Sequence, residues 1–202
     1  MNNWPPVERI WEGETCAILA SGPSMSKDQA EYVRGKCRVI VVNNTWQLAP
    51  WADILYSCDY DWWAHYRPDF KGIKISQSEK ARQIFSDIIA IPSLYKVGLS
   101  RDPNFIHRGG NGGYQAINLA VLMGVRKIIL LGFDVKSSRK KSHWHGNHPL
   151  GLNSPDEDNF DRWRTAFQTI IPDLALAQVE LINCSRSTSL VFFKCAKLEE
   201  IL

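Results

Sequence analysis

Three histidines, His143, His145 and His148, are the residues most able to do chemistry, and their spacing is H-x-H-x-x-H. Imidazole changes charge near neutral pH and is also a common metal ligand. Three interpretations stay open. One histidine acts as a general base, or all three bind a zinc-type metal with Asp134 as a fourth ligand, or the cluster only shapes its loop.

An apolar run directly before these histidines indicates how they are positioned. Ile128–Leu131 is too short for a helix and is flanked by Gly124 and Gly132, which is typical of a buried strand in a parallel sheet. Open α/β sheets bind ligands outside the carboxyl ends of their strands. We therefore expect residues 135–158 to form an active-site loop or lid.

The first predicted strand, Cys16–Ala20, leads into Ser21-Gly22-Pro23-Ser24 and then into a helix over 27–34. The S-x-x-Q sequence from Ser26 to Gln29 has the form of a capping box. Backbone amides at such a helix start favour a phosphate site, although a plain strand-to-helix turn needs the same residues.

Polar residues follow the next two predicted strands. Arg38–Val42 ends in Asn43 and Asn44, whose amides have the groups to bind a base or ribose edge. Ile54–Ser57 ends in Cys58-Asp59-Tyr60-Asp61, where Asp59 and Asp61 offer an alternative site for Mg²⁺ or Mn²⁺ bridging a diphosphate.

A second glycine-rich loop, 109–113, precedes the predicted helix Tyr114–Met123. Gly112 and Gly113 would let a ligand approach the backbone closely, so this loop is a second phosphate or nucleotide candidate. A polar connection without clear periodicity, 93–108, lies before it.

The remaining pattern predicts a helix over 159–171 that ends before Pro172, a strand over 178–182 and a terminal amphipathic helix carrying Leu190, Phe193 and Leu198. Strands that alternate with helices predict an α/β fold. We expect a single doubly wound Rossmann-like domain with a mostly parallel sheet over 1–202, in which 1–14 form an irregular arm.

Composition narrows the functional classes. A formal net charge of +3 over 202 residues does not indicate nucleic-acid binding. Five cysteines, an odd number, fit reduced thiols in a cytoplasmic protein, and no apolar run suits a signal peptide or a membrane span. Eight tryptophans fit either a ligand platform or subunit contacts in a homo-oligomer. The fingerprints of nicotinamide-binding Rossmann enzymes, P-loop proteins and α/β-hydrolases are absent.

The order of these motifs resembles that of the bacterial sialyltransferases of glycosyltransferase family 42. The shared features are S-G-P-S after the first strand, V-N-N after the second, a glycine-rich loop, L-G-F-D, and S-H-W-H-G-N-H. The wider group includes Rossmann-like proteins that are often phage-encoded. The resemblance implies a GT-A-like variant of the fold, a nucleotide-sugar donor with a CMP-linked sugar, no cofactor, and His148 as the base that deprotonates an acceptor. The donor-binding residues that we expect are Ser21, Gly22, Pro23, Ser24, Asn43, Asn44, Gly112, Gly113, Asp134 and Lys136.

In that family two tyrosines hold the leaving phosphate, and this chain lacks both of them at the corresponding positions. Lys136 and Ser142 stand there, with the basic run 139–141 between them, and cations also stabilise a leaving phosphate. The first loop is also similar to that of the archaeal pterin diphosphokinase-like branch, which implies Mg²⁺-dependent pyrophosphoryl transfer through Asp59 and Asp61. A third alternative is nucleotide binding without turnover.

Overall fold

A computed structural model describes residues 5–137, 141–149, 151–152 and 154–202. Eight of its strands form one sheet, in which all neighbouring strands are parallel, and β6 and β7 form a second, two-stranded sheet. The strands in chain order are β1 (Thr15–Leu19), β2 (Arg38–Val42), β3 (Ile54–Tyr56), β4 (Ile73–Ser76), β5 (Ile88–Ala90), β6 (Ser93–Leu94), β7 (Ile106–His107), β8 (Lys127–Leu131), β9 (Glu180–Asn183) and β10 (Lys194–Cys195).

The main sheet reverses its winding direction next to β1. The chain runs outward from β1 to β5 on one side, then continues through β8, β9 and β10 on the other side. In register, Ile18 of β1 pairs with Ile40 of β2 and with Leu130 of β8. The crevice between the carboxyl ends of β1 and β8 is therefore a topological switch point, where open α/β sheets bind their ligands.

Helices cover both faces of the sheet. Cys16 and Ile18 of β1 belong to the core under α4, α5 and α6, whereas Ala17 and Leu19 belong to the core under α1, α2 and α3. This arrangement confirms the predicted doubly wound α/β class. No described helix is both long enough and apolar enough to cross a membrane. The helices are α1 (Lys27–Val33), α2 (Tyr60–Tyr66), α3 (Glu79–Ile84), α4 (Gly112–Leu122), α5 (Glu157–Gln168) and α6 (Ile171–Leu176), with 3₁₀ helices at Asn43–Gln47 and Leu198–Glu200.

The polar connection before α4 is anchored by one buried amide. The Asn118 Oδ1 accepts hydrogen bonds from the backbone amides of Ser100 and His107, each at 2.9 Å. Its Nδ2 donates to the Ser100 carbonyl at 3.0 Å. This connection includes β6 and β7, so the anchor fixes the chain that leads into the glycine-rich loop.

The predicted C-terminal helix is wrong. Leu190, Phe193 and Leu198 are buried, as predicted, but the chain there forms β10 and a short 3₁₀ helix. Leu190 and Phe193 pack in the core under α5, whereas Leu198 packs in the core on the opposite face of the sheet. One helix cannot bury its apolar side on both faces, so the chain crosses the sheet edge as a strand paired with β9.

The predicted helix over 159–171 is also corrected at both ends. Asp156 caps α5 by accepting a hydrogen bond from the Asn159 amide at 2.8 Å, and the helix ends at Gln168. Pro172 lies in the first turn of α6. Proline is tolerated there because the first helical amides have no partner within the helix. The apolar side of α5 faces the core, since Phe160 and Phe167 are buried.

The predicted capping box at Ser26 does not form. The Ser26 side chain makes no hydrogen bond to the backbone of α1. Its hydroxyl lies 3.5 Å from Gln29 Oε1 and accepts from Arg186 Nη1 at 3.0 Å. Arg186 thus competes for the hydroxyl that the sequence pattern assigned to the helix start. Over its described part, the arm that we expected to be irregular has no helix or strand before β1, and its Val7 and Trp11 pack into the core.

Candidate functional site

A cleft of about 650 Å³ lies at the switch point. Its walls come from the loops after β1, β2, β3 and β8 and from the amino ends of α4 and α5. That volume suits a ligand of nucleotide size. The structure brings eleven of the sequence-predicted residues to this cleft: Ser21, Gly22, Pro23, Asn43, Asp59, Asp61, Gly112, Gly113, Lys136, His143 and His148.

The other four predicted residues are Ser24, Asn44, Asp134 and His145, and they do not line the cleft. Asn44 is buried and accepts a hydrogen bond from Trp62 Nε1 at 2.6 Å. It therefore holds the turn after β2 against α2, and Trp62 is largely buried where it meets the cleft wall.

Asp134 and Ser24 lock the first loop to the strand beside it. The buried Asp134 carboxylate accepts from the Ser24 amide at 2.9 Å and from the Ser24 hydroxyl at 2.7 Å. Burial raises the pKa of Asp134 above its usual range, and the two bonds from Ser24 oppose that rise. A Cβ on Gly22 would lie 2.3 Å from both Asp134 Oδ1 and the Gly132 carbonyl. Gly22 is thus required by a contact within the protein, and the Ser24 donors predicted for a phosphate are already used.

A side chain of the second glycine-rich loop also uses backbone amides, because it caps the start of α4. The Asn111 side chain accepts from the backbone amides of Gly113 at 2.8 Å and Tyr114 at 3.2 Å. A Cβ on Gly113 would meet the Phe133 ring at 2.7 Å, whereas a Cβ on Gly112 would come no closer than 3.3 Å to Val42. Gly112 is therefore the less tightly packed of these two glycines on the cleft wall.

Two non-glycine residues on the cleft wall have left-handed backbone. Asn43 has φ +50° and Val135 has φ +49°. This conformation is an outlier for a β-branched residue, and such strain concentrates at functional sites. The Asn43 Oδ1 is also buried without a hydrogen-bond partner among the described residues. Asn43 thus combines a left-handed backbone with an acceptor that has no partner among the described residues, on the wall of the cleft.

The three histidine rings form a compact cluster beside the cleft. Their ring centroids are 5.1 Å apart for His143 and His145, 4.7 Å for His143 and His148, and 5.2 Å for His145 and His148. One ring nitrogen of each is buried and has no partner in the described part of the chain: His143 Nε2, His145 Nε2 and His148 Nδ1. The structure therefore places the three histidines side by side, and the three interpretations of their role stay predictions.

Burial holds the histidines neutral. Burial, with a smaller contribution from the neighbouring His148 and His145, lowers the pKa of His143 to about 3, although a hydrogen bond with the Ser21 backbone opposes the change. Burial likewise lowers the pKa of His145 to about 4. The pKa of His148 falls for the same reason, although the Asp59 carboxylate opposes the change. Neutral imidazole has a free lone pair, as both a base and a metal ligand require.

The described part of the cleft wall carries more negative than positive formal charge. Among the described lining residues, Asp59, Asp61 and Asp156 face one ammonium group, that of Lys136. Lys136 Nζ lies 3.5 Å from the Thr188 carbonyl, so its charge is held near the cleft. Of the basic run predicted to hold a phosphate, Lys141 is exposed, and 139–140 lie outside the described residues.

Several lining residues were not predicted as site residues. They include Asn111, Ser154, Asp156, Asn159 and Trp163. Asp156 and Asn159 have D-x-x-N spacing before an apolar helix, which is a recognisable cap signal. Trp163 lies three and four residues from the buried Phe160 and Phe167, a spacing that predicts packing. Its place on the cleft wall could therefore not be predicted from the sequence.

The chain matches no protein-family model, and no curated protein matches it at a significant level. The resemblance to glycosyltransferase family 42 therefore stays a prediction, and function has to be argued from the cleft itself.

Proposed function

We propose that the cleft binds a nucleotide-sugar, such as a CMP-linked sugar, and that the protein transfers the sugar to an acceptor hydroxyl. The observation that carries this proposal is Asn43, with its left-handed backbone and its unused buried Oδ1 at the switch point. A base amino group or a ribose hydroxyl supplies the donor that this oxygen lacks.

The phosphate and the sugar of the nucleotide-sugar would each meet a chemically suitable part of the cleft wall. Lys136 is the described cation on the cleft surface and suits the phosphate. Gly112 has no side chain and lies on the cleft wall beside Val42 and Cys58, which suits a close approach of the sugar to the backbone. Burial raises the pKa of the Cys58 thiol, which keeps it protonated and unsuited to nucleophilic attack.

The histidine cluster suits the acceptor side. In sugar transfer, the acceptor oxygen loses its proton as it bonds to the anomeric carbon, and the bond from that carbon to the phosphate oxygen breaks. The electron pair of the broken bond leaves with the phosphate. His143 and His148 line the cleft. With a pKa lowered to about 3, His143 is a weak proton acceptor, whereas the Asp59 carboxylate opposes the lowering of the His148 pKa and makes His148 the better base of the two. The sequence-based assignment of the base to His148 remains a prediction.

A second candidate is Mg²⁺-dependent pyrophosphoryl transfer. The observation that favours it is the exposure of Asp59 and Asp61 on the same cleft wall, since paired carboxylates are suitable Mg²⁺ ligands. Nucleotide binding without turnover would use the Asn43 contact alone.

A thermal-shift screen against nucleotides and nucleotide sugars, with and without Mg²⁺, tests the proposal. We expect a cytidine nucleotide and its sugar conjugate to raise the unfolding midpoint without Mg²⁺, because a ligand of the folded state stabilises it by mass action. Asn43→Gly should relieve the backbone strain and weaken nucleotide affinity by about 2–10-fold, the value of one hydrogen bond. A shift seen only with a nucleoside triphosphate and Mg²⁺, and lost in Asp59→Asn, would favour the second candidate.

A further inference from the structure

We propose that His143, His145 and His148 form a three-imidazole centre for a zinc-type metal ion, with one coordination position open to the cleft. One ligand nitrogen from each ring lies within 4.8 Å of those of the other two rings. Tetrahedral zinc, with bonds of about 2.0–2.1 Å, requires nitrogens about 3.4 Å apart. The rings would therefore have to close by up to about 1.4 Å when a metal binds.

The unused nitrogens favour a metal over a hydrogen-bonded cluster. A buried polar atom without a partner is costly, and native proteins rarely leave one. Here three occur together, one on each ring, and within the described residues none pairs with a neighbouring imidazole. A single cation would satisfy all three lone pairs at once.

The backbone around the cluster is pinned in place. The Trp144 amide donates to the Ser21 carbonyl at 3.1 Å, and the His148 amide donates to Ser154 Oγ at 3.0 Å. Gly146, with φ +96°, makes the turn that brings His148 back beside the first two histidines. The ligands are therefore held by contacts outside the rings, as a preformed metal site requires.

The type of ligand and the charge of the cleft determine the kind of metal. Imidazoles suit Zn²⁺, Cu²⁺ or Ni²⁺, whereas Mg²⁺ prefers oxygen ligands. The described cleft wall carries three carboxylates and one ammonium group. A divalent ion would offset that excess of negative charge, which otherwise opposes the binding of a phosphate.

The open position gives the metal a role that rests on the proposed function. Catalytic zinc sites keep three protein ligands and one exchangeable position. His143 and His148 line the cleft, so the exchangeable position faces the substrate. An acceptor hydroxyl bound there becomes more acidic and releases its proton to solvent. Its oxygen then bonds to the anomeric carbon as the carbon–oxygen bond to phosphate breaks with its electron pair on the phosphate. With a metal bound, the three imidazoles would hold the ion, and solvent would take the proton that a single imidazole base would otherwise accept.

Metal content and zinc affinity of the full chain, purified without a polyhistidine tag and without any nucleotide, test the site directly. We expect one zinc ion per chain by elemental analysis, and a chelator-competition titration that gives saturable binding. Loss of one ligand in His145→Ala should weaken zinc binding by more than the about 10–100-fold that loss of an outer partner costs. His65→Ala is the matched control, because His65 is an exposed histidine outside the cluster, and it should bind zinc normally.

Cobalt substitution of the wild type keeps the test independent of variant folding. Visible absorption bands of four-coordinate Co²⁺, changed by an added azide ion, would support three imidazoles with an open position. Absence of saturable zinc binding by the wild type would overturn the proposal. So would zinc affinity that survives His145→Ala but is lost in Asp59→Asn. Because no nucleotide is present, the result is separate from whether the cleft binds a nucleotide-sugar.

Discussion

Gly22→Ala should destabilise the protein strongly, even though the change adds only one methyl group. The new Cβ would lie 2.3 Å from Asp134 Oδ1 and 2.3 Å from the Gly132 carbonyl. Either the first loop or the Asp134 carboxylate must move. Because the Gly132 carbonyl also accepts from the Gly22 amide at 2.9 Å, the loop cannot withdraw without losing that bond.

The magnitude follows from the bonds that break. Displacing Asp134 removes two hydrogen bonds from Ser24 to a buried carboxylate, at about 1.5–3 kcal/mol each. Partial relaxation recovers some of that sum, so we expect Gly22→Ala to lower the free energy of unfolding by about 3 kcal/mol. Ser24→Ala removes only the hydroxyl bond and should cost about half as much.

Urea denaturation followed by circular dichroism measures this series. With a slope of about 2 kcal/mol per molar urea, Gly22→Ala should lower the midpoint by about 1.5 M. Gly112→Ala is the matched control, since its Cβ would lie 3.3 Å from one Val42 side-chain carbon, a contact that a small shift relieves, and it lies in the first turn of α4. Equal midpoints for the two glycine variants would refute the role given to the contact between Gly22 and Asp134.

Three further predictions concern stability. Asp156→Ala should cost about 1 kcal/mol in urea denaturation, because the side chain caps α5 through the Asn159 amide. Asn118→Ala should cost about 3 kcal/mol or more, because two buried backbone amides and one carbonyl lose their partner. Ser26 and Arg186 lower the pKa of the largely exposed Asp28 to about 2, which adds at most about 1 kcal/mol of stability above the usual pKa of Asp. That contribution disappears as pH falls through about 2, so unfolding midpoints of the wild type and Arg186→Ala should converge there.

Much of the fold could be predicted from hydrophobic runs and turn residues. The five-residue buried strands β1, β2 and β8 have few polar side chains and are bounded by glycine or asparagine, so their pattern is unambiguous. The C-terminal segment was mispredicted because Leu190 and Leu198 have helical spacing yet pack on opposite faces of the sheet. Sequence periodicity does not contain that information.

The sequence indicated which residues lie at the candidate site better than it indicated what each of them contacts. Residues after parallel strands meet at one sheet edge, which explains why Asn43, Asp59 and His148 reach one cleft. The sequence could not indicate that Asp134 uses the donors of Ser24, since the two residues are 110 positions apart. Nor could it indicate that three ring nitrogens would be left without partners, because that depends on how the loop folds.

Calorimetric titration of the wild type, Gly112→Ala and Gly112→Leu with cytidine monophosphate tests the central claim, that the switch-point cleft is the nucleotide site. A Cβ at position 112 would lie 3.3 Å from Val42 and 3.8 Å from Cys58, which both line the cleft, so a leucine there would occupy part of the cleft volume. We expect cytidine monophosphate to bind the wild type and Gly112→Ala. Gly112→Leu should lose binding while its circular dichroism spectrum stays the same as that of the wild type. Undiminished affinity in Gly112→Leu, or no binding to the wild type, would contradict that claim.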